Sequence, residues 1–239
     1  MKKLYIVFLL FIPLSINAGK NSLKVATPEW VNQTNGNGTG LYFEIIKAVF
    51  EPEGFTVEYA IVPWPRAEYM VKTGESDVMP GDIKTETNNF IYPDQIFLNE
   101  ITSTIFKKNK IQWLGKSSLQ NRKCIWLTGY NYQKTLGEKV TWFEIDNREA
   151  AVKAILADRS DFYIDAKIDI SYYFRKHPEQ KNLFEFRDIY SVDIYLKFSN
   201  NARGKHLSDL YDKRVKKLKN DRKFREIFKK YNYDFPVYK

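Results

Sequence analysis

The sequence predicts an α/β fold made of two similar lobes, and three observations predict it. The order strand, helix, strand, helix, strand occurs twice, over Leu23 to Met79 and again over Lys123 to Ile164. Two segments echo each other. Arg66 to Asp77 and Arg148 to Asp161 each read as a helix closed by Ser-Asp, followed by a short buried strand at Val78-Met79 or Phe162-Tyr163. Two long β-branched segments, Ile96 to Lys107 and Tyr190 to Phe198, carry the chain into the second unit near Lys107 and out of it near Ser191. Two such crossing strands would form a hinge, after which the C-terminal segment returns to the first lobe. The expected divisions are a leader over 1–18, a first part of lobe one over 19–107, lobe two over 108–190, and a hinge strand with C-terminal helices over 191–239.

The elements follow in order. Leu23 to Thr27 is a strand, and Pro28-Glu29-Trp30 and a polar, Gly-rich rim loop (Asn32 to Gly40) lead to a helix over Leu41 to Phe50. The glycines of this loop do not make a dinucleotide site: they come too long after the strand, and their spacing lacks the x-x before a third Gly. Val57 to Val62 is a strand stopped by Pro63 and Pro65, which hold Trp64 in a loop ahead of a helix over Ala67 to Lys72. Gly74 ends that helix, and the strand at Asp77-Val78-Met79 stops at Pro80-Gly81. The Gly81-Asp82 loop therefore sits at a strand's C-terminal end and Trp64 and Arg66 at a strand-to-helix junction, the places where α/β folds bind ligands.

In the second unit Lys123 to Leu127 is a strand, Thr128 to Tyr132 a loop, and a helix starts near Gln133. A strand over Val140 to Ile145 precedes a helix over Asn147 to Ala157, for which Asp146 is the expected cap with Glu149 three residues on. The strand Phe162-Tyr163-Ile164 ends at Asp165-Ala166, Ile170 to Lys176 is helical, and Leu183 to Ile189 is mixed.

With 44% hydrophobic and 28% charged residues over 239 positions, the composition is that of a soluble globular protein, and 16% aromatics suit a thick core or a stacking cleft. Lys2-Lys3, an apolar run from Leu4 to Leu14 and Ser15 to Ala18 read as a secretory signal peptide cleaved after Ala18. The expected location is therefore the bacterial periplasm. The lone Cys124 allows no internal disulfide and leaves no lipid attachment at the cut. Of the net charge of +9, Asn201 to Lys239 holds thirteen Lys or Arg against five Asp or Glu. These alternate with Leu207, Leu210, Tyr211, Val215, Leu218, Phe224, Ile227, Phe228 and Tyr231 at helical spacing. That pattern predicts core-facing helices with a solvated basic face, not a nucleic-acid surface.

His177 and His206 stand alone, without metal spacing, and no Gly-x-Ser-x-Gly elbow is present. Neither catalytic residues, metal nor cofactor is expected, and the protein reads as a binder, not an enzyme. Asp165, at the end of a buried strand, is either a ligand contact or a cap for the next helix. The Thr128-Gly129-Tyr130 loop is either an anion-binding turn with free N–H groups or a plain turn. Arg66 either holds an anion or lies along Trp64.

In order and spacing, VATPEW, GLYFEIIKAVF, PWPRAEYMVKTGESDVMPGDIKTE, FIYPDQIF, WLTGYNY and AVKAILADRSDFYIDA resemble the periplasmic solute-binding proteins of the polar amino-acid transport type, bacterial family 3. The Pro-Trp-x-Arg element is similar to one branch of that family. The resemblance implies a two-lobed type II periplasmic-binding-protein fold with a two-strand hinge, closing on an amino acid or related polar solute for an ABC transporter. It implies stacking by Trp30, Tyr42 and Trp64, and an ammonium contact by Asp165. It places the carboxylate-binding region at Lys84-Thr85-Glu86-Thr87-Asn88, where Asn88 stands in place of the family's Arg. Asn cannot supply that charge, so Arg66 is the substitute to consider. The expected partners are a small-molecule ligand and a membrane permease or receptor, with the chain acting as a monomer. A sensor or adaptor role, or a dehydratase-like enzyme on the same fold, are the alternatives the resemblance carries.

Overall fold

A computed structural model describes residues 21–86, 88–137 and 139–238. The signal-peptide expectation lies outside the described residues. The chain order is β1 (Asn21–Thr27), α1 (Leu41–Phe50), β2 (Phe55–Ile61), α2 (Trp64–Thr73), β3 (Val78–Ile83), β4 (Phe90–Ile91) and β5 (Leu98–Lys107). It continues with β6 (Lys123–Leu127), α3 (Gln133–Leu136), β7 (Thr141–Ile145), α4 (Arg148–Leu156), β8 (Phe162–Ala166) and α5 (Lys167–Lys176). Last come β9 (Phe184–Ser199), α6 (Ala202–Leu218) and α7 (Arg222–Lys230).

The strands run in the order β2-β1-β3-β9-β5-β8-β6-β7, with β4 beside β9. Each end of this path is a parallel triplet with its first strand in the middle: β1 between β2 and β3, and β6 between β7 and β8. The long antiparallel pair β5 and β9 joins them, from Leu98 opposite Ile194 to Lys107 opposite Phe184. The cores divide the same way. One gathers Leu23, Val25, α1, Phe198 and the inner faces of α6 and α7; the others gather Ile105, Ile125, Tyr163 and Phe174, and Phe106, Trp126 and Phe162. We call the two groups lobe one and lobe two.

The Ser-Asp echo has a shared physical basis. Asp77 N donates to Lys24 O and Lys24 N donates back to the Asp77 carboxylate, each at 2.9 Å. Asp161 repeats this with Lys123, at 2.8 and 3.0 Å. Each aspartate thus pins the first strand of its own lobe, where helix gives way to the third strand.

The basic C-terminal segment packs as its periodicity predicts. Leu207, Tyr211, Val215, Phe224 and Phe228 are buried, and the Tyr211 hydroxyl donates to Ile96 O at 2.8 Å. Four local expectations are corrected. The helix α2 begins at Trp64, so Trp64 is its first residue and not a loop residue, with Pro65 tolerated in the first turn where no N–H is needed. The strand β3 runs through Pro80 and Gly81, which an irregularity in its ladder with β9 between Met79 and Asp82 accommodates. Asn147 caps α4, accepting from Ala150 N at 2.9 Å, in place of Asp146. Phe184–Ser199 is one sixteen-residue strand, because its pairing with β5 holds the charged stretch Glu185 to Asp188 extended.

Candidate functional site

A cleft of about 620 Å³ opens between the lobes over β5 and β9. Lobe one supplies Trp30, Tyr42, Trp64, Glu68, Gly81 and Asp82; the crossing strands supply Glu100, Thr102, Val192, Ile194 and Lys197; lobe two supplies Gly129, Tyr130, Tyr132 and Asp169.

The aromatic wall follows from local geometry. Trp30 leaves the end of β1 in a turn fixed by Thr34, whose hydroxyl accepts from Trp30 N at 3.0 Å and donates to Pro28 O at 2.7 Å. Its ring lies on the backbone of β3: a Cβ at Gly81, where φ is +90°, would come within 3.0 Å of it. Trp30 meets Tyr42 edge-on at 5.9 Å and Trp64 at 5.8 Å between ring centroids. Lobe two closes on this wall. Trp30 Nε1 donates to the Tyr130 hydroxyl at 2.8 Å, and Tyr130 packs edge-on against Trp64 at 6.0 Å. Gly129, at φ +86°, sits so near Trp64 that a Cβ would be 2.9 Å from the ring. The two lobes touch across the mouth of the cleft.

Two cations, the buried Lys197 and the partly buried Arg148, organise the polar wall. In lobe one, Lys197 of β9 is 2% exposed and pairs with Asp82 at 2.7 Å and Glu68 at 3.0 Å. Its ammonium lies 4.5 Å from the centre of the Phe90 ring and 5.5 Å from that of Trp64. The Tyr92 hydroxyl also donates to Asp82. In lobe two, Arg148 begins α4 and bonds Asp165 and Asp169, each at 2.8 Å. Burial would lower the Arg148 pKa, but the two carboxylates outweigh it and hold the guanidinium charged. Burial and the neighbouring Asp165 charge push Asp169 up to about 7 despite Arg148. Glu100, on the crossing strand β5, is pushed up to about 8 by burial and then by Asp169 and Asp165.

Eight of the eleven residues picked from sequence line the cleft: Trp30, Tyr42, Trp64, Gly81, Asp82, Thr85, Gly129 and Tyr130. Three do not. Arg66 turns to solvent, where both oxygens of Glu75 accept from it at 2.9 and 3.0 Å and its guanidinium lies over Tyr69. Asn88 is on the outer surface, its carbonyl accepting from Asn200, while the adjacent Asn89 reaches the wall. Asp165 is fully buried beneath the wall, where it accepts from Arg148, from the Tyr163 hydroxyl and from Ala166 N. It neither faces the cleft nor caps the next helix. The anion turn is also occupied: the N–H groups of Thr128, Gly129 and Tyr130 go to Ile145 O, the Glu144 carboxylate and Leu127 O.

The charged residues missed by sequence reasoning are Glu68, Glu100, Arg148, Asp169 and Lys197. Arg148 alone had a signal, as the helix-start counterpart of Arg66 in the echo.

No protein-family model and no curated protein matches the chain. Solved structures do. An ancestral arginine-binding protein bound to glutamine matches with a TM-score of 0.73 at 17% identity, covering 90% of this chain and 99% of that one. A histidine kinase sensor domain with similarity to periplasmic binding proteins matches at 0.72 and 16%, covering 88% and 96%. An amino acid ABC transporter substrate-binding protein from Streptococcus pneumoniae, bound to L-arginine, matches at 0.68 and 17%, covering 89% and 96%. The fold is that of the type II periplasmic binding proteins.

Proposed function

We propose that this chain is a solute-binding protein of the polar amino-acid transport type, closing on a small polar solute and presenting the closed form to a membrane partner. The carrying observation is the cleft walled by both lobes above β5 and β9, with aromatic and charged groups converging in about 620 Å³. The two crossing strands act as the hinge, and the solute selects the closed arrangement by contacting both walls. The chain is exported to the periplasm on the leader at 1–18 and works as a monomer with an ABC permease. It acts as a binder and not as an enzyme. Transport is supported by the likeness to the streptococcal transporter protein. A second reading, a sensor docking on a membrane receptor, is favoured by the likeness to the kinase sensor domain.

A thermal-shift screen of amino acids, amines, sugars and organic acids tests the binding step. At least one solute raises Tm, and Trp64→Ala removes that rise while the variant still melts cooperatively. No rise with any solute, or an undiminished rise in the variant, contradicts the assignment.

A further inference from the structure

Resting on the solute-binding reading of this cleft, we propose that its solute carries net positive charge and seats a cationic nitrogen between Glu100 and Asp169, beside the hydroxyls of Tyr42 and Tyr132. The distribution of charge leads there. Two cations of the site already serve two carboxylates each, Lys197 with Asp82 and Glu68, and Arg148 with Asp165 and Asp169. The other cations of the wall are Lys84, whose ammonium donates to Pro93 O, and the exposed Lys134. Glu100 has no ion-pair partner among the described residues, so the floor of the cleft offers an acid that no cation of the wall answers. A carboxylate-bearing solute would find both of the paired cations already held by two carboxylates each.

A second, independent observation points to a missing donor or acceptor at the same place. Tyr42 is 1% exposed and Tyr132 is 6% exposed, and both line the cleft. Neither hydroxyl has a hydrogen-bond partner among the described residues, whereas the hydroxyls of Tyr130, Tyr163 and Tyr233 all have one. The rings are buried and the hydroxyls open to the cleft, where a ligand or water can complete them. An N–H-bearing cation matches this set, because phenol oxygens accept and carboxylates neutralise. The partly exposed ring of Trp64 suits a flat or alkyl-borne cation. No group of three His, Cys, Asp or Glu suited to a metal ion occurs among the described residues, which directs the choice to an organic cation.

The state of Glu100 gives a distinctive readout. It faces Asp169 on α5, Asp165 on β8 and Arg148 on α4. The phenols of Tyr42 on α1, Tyr132 before α3, Tyr190 on β9 and Tyr233 after α7 share its field. With its pKa raised to about 8, Glu100 is largely protonated at neutral pH in the free protein. An arriving cation favours the carboxylate, so binding expels a proton to buffer and tightens as pH rises towards 8.

The experiment is calorimetric titration at pH 7 in two buffers of different ionisation enthalpy. The solutes are L-arginine, agmatine, putrescine, the neutral L-citrulline, and L-glutamate. At least one of the three cations binds and releases protons, and binds at least 10-fold more tightly than citrulline or glutamate. Glu100→Gln weakens that cation on the order of 10-fold or more and reduces the proton release, leaving only the share that Asp169 supplies. The melting temperature of the free variant does not fall, which separates a binding defect from a folding one. If only neutral or anionic solutes bind, in this set or in the wider thermal-shift panel, the cation assignment is overturned while the solute-binding reading stands. The cation assignment is equally overturned if Glu100→Gln leaves affinity and proton release unchanged. If no solute of either panel binds, both fall together.

Discussion

The two lobes carry the same device built from different parts. In each, an aspartate after the Ser-Asp turn lies near the end of the third strand: Asp82 on β3 and Asp165 on β8. Each accepts from a cation and from a tyrosine hydroxyl, Lys197 and Tyr92 in one lobe, Arg148 and Tyr163 in the other. The cations have different origins. Lobe two takes its own helix-start arginine, whereas the counterpart in lobe one, Arg66, points outward to Glu75 and the cation comes from β9. Lobe one also has one more residue between its two aspartates, where the β3 ladder is irregular. The difference teaches that the acid at the strand end is the repeated feature, and that whichever cation the surrounding strands deliver completes it. Glu100, on the crossing strand between the two devices, has no ion-pair partner among the described residues.

The largest effect that sharpens this comparison comes from removing the two cations in turn. Arg148→Met strands the fully buried Asp165 and should cost about 3–5 kcal/mol in urea unfolding. Lys197→Met should cost less, about 1–3 kcal/mol, because the side chains of Asp82 and Glu68 are 18% and 40% exposed and can recruit water. The reverse order would break the proposed equivalence.

Glu100 should give a smaller, pH-dependent effect. Its folded pKa, about 8, lies above the ordinary 4.5, so between those values the native state holds more of its proton than the unfolded state does. Its contribution is therefore intact below about pH 4.5 and is lost as pH rises through 8. Thermal melts across that window should fall more steeply for the parent protein than for Glu100→Gln. The smallest effect belongs to Arg66→Gln, which removes an exposed ion pair and should change stability by no more than about 0.5 kcal/mol and leave solute binding intact. A clear loss of binding would return Arg66 to the site.

The same comparison shows what the sequence could reveal. The α1 helix, the Ser-Asp echo and the inward stripes of α6 and α7 were legible because each depends on near neighbours in the chain or on one periodicity. Trp64 was legible as a cleft residue from its strand-to-helix junction, whereas Trp30 and Tyr42 came from the resemblance to the solute-binding family alone. Lys197 and Glu100 were not legible, since each sits within a β-branched run, and only the strand order brings β9 and β5 under the cleft. Arg66 was named and Arg148 was not for a similar reason. Both lie in the first turn of a helix beside a third strand, and the carboxylates that decide their direction lie elsewhere in the chain.

Closure of the lobes on a solute is tested most directly by an inter-lobe distance distribution, with spin labels at Lys72→Cys on α2 and Lys153→Cys on α4, both exposed sites. The native Cys124 is buried, and burial pushes its thiol up to about 12, so it stays unlabelled. A solute that raises Tm should convert a broad distribution into a narrower, shorter one, and Trp64→Ala should suppress the change. An unchanged distribution with such a solute present would contradict closure.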